Sequence, residues 1–107
     1  MTSTADNIFF TRLCDKIEDK KDSMIELTQD LIKIPTLNPP GENYREICEY
    51  LDTRLSRAGF ATELIRAKDA PGDSDQYPRW NIVARREGQK DGECVHFNSH
   101  TDVVEVG

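Results

Sequence analysis

The apolar residues Phe9, Leu13, Ile17, Met24, Leu27, Leu31 and Ile34 recur at spacings of three, four or seven, which is one face of a 3.6-residue period. The pattern predicts a helical first third, ended by Pro35, whose ring lacks an N–H and clashes with a preceding helical turn. Ser23 and Glu26 have the spacing of a capping box, which would begin a new helix there. The apolar stripe nevertheless keeps its phase across residues 19–22, so one helix able to kink at that point is the simpler expectation. Leu37-Asn38-Pro39-Pro40-Gly41 cannot be regular structure, since two prolines and a glycine interrupt it. A second helix is expected from Asn43, with Glu46 three residues on, an apolar face of Ile47, Leu51, Leu55 and Ala58, and Gly59 as C-terminal stop.

Beyond Gly59 the pattern changes to short runs. Residues 60–66, 80–86 and 93–99 fit strands. The first two are separated by a long loop over 67–79 that is rich in turn formers, and the last two by a stretch containing Gly88 and Gly92 that reads most simply as a hairpin. The expected fold class is α/β: two helices, the first able to kink, followed by three strands of a mixed sheet, with 93–99 interior to that sheet.

Composition narrows the function classes. The 107 residues carry 14 Lys plus Arg against 20 Asp plus Glu, a formal net charge of -6. No basic cluster interrupts this balance, which disfavours nucleic acid and anionic membrane surfaces as partners. No run approaches the ~20 apolar residues of a membrane span, and the first twenty residues lack the apolar core of a signal peptide. A cytoplasmic location is the default expectation. Apolar residues are 36% of the chain, thin for a self-sufficient core. Cys14, Cys48 and Cys94 are odd in number and far apart, so buried free thiols in a reducing compartment are expected, with no structural zinc site or redox pair.

Candidate chemistry concentrates in Asn98-Ser99-His100-Thr101-Asp102-Val103-Val104. A histidine leaving the carboxyl end of a strand faces the crevice where open α/β sheets bind ligands. An aspartate two residues on projects the same way if the chain stays extended. Imidazole suits zinc, and a carboxylate on its second nitrogen fixes the tautomer. Taken alone, a His-x-Asp spacing is more often a structural hydrogen-bonded pair than a functional one. His96 lies about 13 Å from His100 along a strand, too far to share a metal, and reads as a sheet histidine. Cys94, with no adjacent base, reads as an inert core thiol. Tyr77 and Trp80 can line a pocket or simply join the core.

Several segments together resemble one family. Ile34-Pro35-Thr36-Leu37-Asn38-Pro39-Pro40-Gly41-Glu42, then Gly59-Phe60, Asn81-Ile82-Val83-Ala84 and Ser99-His100-Thr101-Asp102-Val103-Val104 occur in the order seen in dinuclear zinc hydrolases. The group is that of acetylornithine deacetylase, succinyl-diaminopimelate desuccinylase and the aminoacylases. The resemblance covers the chain from about Asp22 onward and identifies it with the family's amino-terminal part. It implies a zinc-exopeptidase-like catalytic domain, hydrolysis of an amide bond in an N-acyl amino acid or small peptide, and two zinc ions per site, with cobalt able to replace them. It further implies His100 as a ligand of one zinc and Asp102 as the catalytic-site residue that holds its ring. A homodimer formed through a lid domain elsewhere in the family chain is also allowed. Glu105 stands where the family often has proline.

The family's remaining ligands and its general base have no counterpart here. A catalytic zinc needs about three protein ligands and a water, so residues 1–107 are expected to be an amino-terminal fragment of a metallohydrolase catalytic domain. The alternative is a small acidic interaction or structural module with no chemistry.

Overall fold

The computed structural model describes residues 3–107. They form an α/β chain of three helices and a two-stranded antiparallel sheet, divided into two compact units, Met1–Lys33 and Ile34–Gly107.

The first unit holds α1, Thr4–Asp19, and α2, Lys21–Ile32. The Ser3 hydroxyl accepts from the Asp6 N–H at 3.1 Å while Asp6 Oδ2 accepts from the Ser3 N–H at 3.2 Å, a reciprocal capping box that satisfies two orphan donors. The expected single kinked helix is two helices. Lys20, at φ -94 and ψ 2, leaves helical geometry and serves as C-cap of α1 and N-cap of α2. Ser23 and Glu26 therefore lie inside α2 and cap nothing. The junction falls in Asp19-Lys20-Lys21-Asp22, four charged residues with no apolar side chain to hold a turn in place. Neither helix buries a residue completely, and Phe9, Leu13 and Ile17 of the stripe are exposed.

The second unit is organised around α3, Tyr44–Arg57, which packs on both strands. Tyr44, Ile47 and Cys48 are its buried apolar residues, at the i, i+3, i+4 spacing of one helical face. Gly59 ends the helix as expected. At φ 91 it takes the left-handed conformation, its N–H donating to the Ser56 carbonyl and that of Phe60 to the Leu55 carbonyl, both at 3.0 Å; the pair of bonds is a Schellman closure. The start departs from expectation. Asn43 stands at the expected N-cap position but is left-handed at φ 57 and makes no side-chain cap bond; its Nδ2 donates to the Pro35 carbonyl at 2.8 Å.

Strands β1, Ala61–Arg66, and β2, Trp80–Arg85, pair antiparallel from Ala61 opposite Arg85 to Arg66 opposite Trp80. Alternate residues of both are half-buried, the period-2 pattern of a sheet with one covered face. The third strand and the hairpin do not form. Residues 93–99 are exposed and outside any strand, with Phe97 89% exposed, so the expected interior strand of a mixed sheet is replaced by a two-stranded sheet. No backbone ladder reaches residues 93–99, although the second edge of β2 is unpaired, and an apolar run becomes a strand only beside a backbone partner. Cys94, in this segment, and Cys14, on α1, are exposed thiols instead of buried ones, and Cys48 alone is buried. Among the described residues no helix is long and apolar enough to cross a membrane.

Candidate functional site

The His100–Val104 segment is held against the proline loop by backbone, not by a preceding strand. Leu37 and Val103 form a parallel bridge. The Val103 N–H donates to the Thr36 carbonyl at 2.9 Å and the Asn38 N–H to the Val103 carbonyl at 2.8 Å. Thr36, 1% exposed, adds a hydroxyl bond to the Thr101 carbonyl at 2.8 Å. His100 therefore does not sit at the end of a strand 93–99. It opens an extended segment fixed three residues later, at Val103.

That anchoring places Asp102 between the histidine and a polar cluster. Its Oδ1 lies 2.7 Å from His100 Nδ1, while its Oδ2 accepts from the Tyr44 hydroxyl at 2.8 Å and from Asn38 Nδ2 at 2.9 Å. Tyr44 comes from the first turn of α3, Asn38 from the proline loop. The hydrogen bond from Tyr44 first, then those from His100 and Asn38, hold the Asp102 carboxyl below its ordinary value, and partial burial opposes them. Burial first, then Asp102, pushes the Tyr44 hydroxyl up, so it remains a donor. An ionised carboxylate only accepts, so Nδ1 carries the proton and the lone pair of a neutral ring lies on Nε2. The His100 side chain is 84% exposed and that of Asp102 26%: the ring is held from behind and open in front.

Behind the cluster stands Arg79. Its Nη1 donates to the Tyr44 hydroxyl at 2.8 Å and to Asn38 Oδ1 at 3.1 Å, and its Nη2 to the Pro40 carbonyl at 3.3 Å. The guanidinium lies 5.1 Å from the centroid of the Tyr44 ring, a cation–π distance. Gly41 and Gly72 give it room: a Cβ on Gly41 would sit 2.9 Å from Nη1, and one on Gly72 would overlap Nη2.

Asp73 fixes the Arg79 backbone. It accepts from the Arg79 N–H at 2.8 Å, from the Asp69 N–H at 3.0 Å, and from Arg66 Nε and Nη2 at 3.2 and 3.1 Å. The Arg66 guanidinium first, then the Arg79 and Asp69 N–H groups, lower its carboxyl from 3.8 to about 2. A carboxylate lowered in the folded state stabilises the fold fully above its unfolded value and ceases to do so as pH falls through the folded one. Asp73→Asn is therefore expected to lower the urea midpoint of unfolding above about pH 4 and to cost progressively less toward pH 2. Midpoints measured across that range check it, and a constant difference would contradict the assignment.

The other sequence candidates lie apart from this cluster. His96 is exposed and in no strand, which corrects the sheet-histidine reading, and Cys94 is an exposed thiol instead of a core one. Trp80 is half-buried under the Arg45 guanidinium at 5.3 Å. Tyr77 pairs with its neighbours Gln76 and Ser74. Among the described residues no three His, Cys, Asp or Glu side chains stand together as a metal-binding group. His100 presents an exposed ring whose Nδ1 is held by Asp102. Asn38, Tyr44 and Arg79 were not singled out by sequence reasoning. Asn38 at least lies within the proline segment that carries the resemblance, whereas a turn-forming loop gives no local sign that Arg79 reaches α3.

Comparison with known proteins gives this geometry a context. The chain is 35% identical over 83 residues to the succinyl-diaminopimelate desuccinylase of Cupriavidus taiwanensis, covering 78% of this chain and 20% of that protein. It is 36% identical over 84 residues to the enzyme of the same name from Dinoroseobacter shibae, covering 78% and 19%. These matches over 78% of the chain are consistent with a fragment of the succinyl-diaminopimelate desuccinylase family. A further relative is the N-formyl-4-amino-5-aminomethyl-2-methylpyrimidine deformylase of Bacillus subtilis, 29% identical over 93 residues, covering 85% of this chain and 20% of that protein. The chain thus spans about a fifth of the length of the desuccinylases it matches. No family model matches it, and no solved structure does.

Proposed function

We propose that the whole protein is a zinc-dependent amidohydrolase of zinc-exopeptidase-like fold, removing an acyl group from the nitrogen of an amino acid or small peptide. In this reading His100 is a ligand of one of two zinc ions, which cobalt can replace, and Asp102 orients its ring. The carrying observation is the 2.7 Å contact of His100 Nδ1 with Asp102, which leaves Nε2 of an 84% exposed side chain as the free donor. The names of the relatives, desuccinylase and deformylase, support loss of an acyl group. Nothing in the comparisons favours the acidic module.

The chain's own part in such a reaction is orientation. Asp102 accepts the hydrogen bond from Nδ1–H, keeps the Nε2 lone pair outward, and would offset the positive charge that gathers on an imidazole when its other nitrogen coordinates a cation. Tyr44 and Asn38 keep the second carboxylate oxygen from rotating toward the ring. A bound divalent cation would supply Lewis-acid polarisation of the amide and a lowered water pKa. Further ligands and the base that accepts a proton must come from residues other than these. The acyl amino acid is the proposed small-molecule partner, and a homodimer through a lid domain is proposed for the whole protein.

Full-length protein assayed with N-succinyl, N-formyl and N-acetyl amino acids tests this directly. Hydrolysis of at least one class is expected, abolished by chelation and restored by zinc or cobalt. Undiminished turnover after complete metal removal, or no turnover on any of them with zinc present, overturns the proposal.

A further inference from the structure

We propose that Arg79, acting through Tyr44 and Asn38, is the positioning residue that sets the tautomer of His100 and thereby which ring nitrogen faces a ligand. The metal consequence of this rests on the reading of His100 as a zinc ligand; the tautomer consequence stands without it.

The argument is one of hydrogen-bond direction. A guanidinium has five donors, no acceptor, and stays protonated in proteins. The Tyr44 hydroxyl, 2.8 Å from Nη1, must therefore accept from Arg79, which leaves its single hydrogen for Asp102 Oδ2 at 2.8 Å. The Asn38 amide could otherwise lie either way round. With Oδ1 facing Nη1 at 3.1 Å, it is pinned so that Nδ2 donates to the same Asp102 oxygen at 2.9 Å. Two donors thus converge on Oδ2, and Oδ1 is left to accept from His100 Nδ1. Every bond in the series Arg79, Tyr44 with Asn38, Asp102, His100 runs in one direction, from a guanidinium that can only donate toward a carboxylate that can only accept, and Arg79 is what fixes the two reversible groups, Tyr44 and Asn38, between them.

The structure also builds a seat for this side chain. Its backbone N–H is held by Asp73 and its carbonyl accepts from the Ala67 N–H, both at 2.8 Å. The space left by Gly41 and Gly72 admits the guanidinium. A lysine ammonium, a point donor on a flexible stem, does not reproduce a planar fork that reaches two acceptors and the Pro40 carbonyl together. Without Arg79 the Tyr44 hydroxyl is free to turn its hydrogen elsewhere and the Asn38 amide to flip its oxygen toward the carboxylate, which loosens Asp102 and frees the imidazole to exchange tautomers.

The test uses full-length protein labelled with 15N only in histidine, with the His100 signal assigned through His100→Gln. Long-range nitrogen–proton correlations, at a pH where the ring is neutral, report the tautomer. The metal-free wild-type protein is expected to show the Nδ1–H form. Arg79→Met and Tyr44→Phe are expected to move His100 toward the Nε2–H form and to weaken zinc binding about ten- to hundredfold in competition with a chelator. Tyr44→Phe keeps the ring in place and decides the matter should Arg79→Met fail to fold. An unaltered Nδ1–H tautomer in folded variants overturns the proposal. Loss of that tautomer in the variants, together with a wild-type His100 signal that zinc does not move, upholds the role of Arg79 and removes the ligand reading of His100. A His100 signal moved by zinc, with the tautomer unchanged in the variants, does the reverse.

Discussion

Replacing Ile47 with alanine is expected to lower the free energy of unfolding by about 2–5 kcal/mol, the usual cost of truncating a fully buried isoleucine to alanine. Ile47 is 1% exposed and lies mid-face on α3, the helix that packs on both strands. Among the described residues only Tyr44 and Cys48 accompany it as buried apolar residues, so little core packing stands ready to collapse into the cavity. A typical domain has about 5–15 kcal/mol in hand, so a loss of this size removes much of it. The consequence reaches the site, because α3 carries the Tyr44 hydroxyl that holds Asp102. Urea unfolding followed by circular dichroism measures the loss. Ile47→Val is expected to cost about 0.5–1.5 kcal/mol, and Arg54→Ala, on the exposed side of the same helix, to stay within about 0.5 kcal/mol of wild type. An Ile47→Ala loss no larger than that of Arg54→Ala would mean that this face is not the core.

The parts of this fold that local chemistry determines could be read from the chain alone. A 3.6-residue period and Gly59 were enough for α3 and its end, since a Schellman closure needs only a residue that tolerates positive φ. Short strand-like runs on either side of a loop rich in turn formers located β1 and β2 to within a residue at their ends. Parts that depend on a distant partner could not be read. Residues 93–99 have strand composition, but a strand exists only where another backbone completes its ladder, and none stands beside them. Asn43 has the side chain of a cap, but the Pro35 carbonyl took its amide. At the site, His100 and Asp102 were legible because two residues of extended chain bring their side chains to one side. Arg79 was not: it acts on them from the long loop between the strands, through a helix residue and a proline-loop residue, and no window of sequence contains that path.

Asp102→Asn should be as damaging to metal binding as removing the side chain, although it changes one oxygen to nitrogen. Two donors, the Tyr44 hydroxyl and Asn38 Nδ2, point at the Oδ2 position. An asparagine there satisfies both only by placing its carbonyl oxygen toward them, which turns its NH2 toward His100 Nδ1. Nδ1 must then accept, and the ring proton moves to Nε2, where it blocks coordination. Turning the amide the other way restores the bond to Nδ1–H but sets three donors against each other at the Oδ2 position, with Tyr44 held in its orientation by Arg79. Either arrangement loses the oriented imidazole. For the full-length protein we expect zinc affinity or hydrolytic rate to fall about ten- to hundredfold, with Asp102→Ala falling in the same range. Asp102→Glu, which keeps the charge, should retain the Nδ1–H tautomer in part and lose less. Competition for zinc against a calibrated chelator, measured for all three variants, gives the order. An Asp102→Asn protein that binds zinc like wild type would show that the carboxylate does not control the ring.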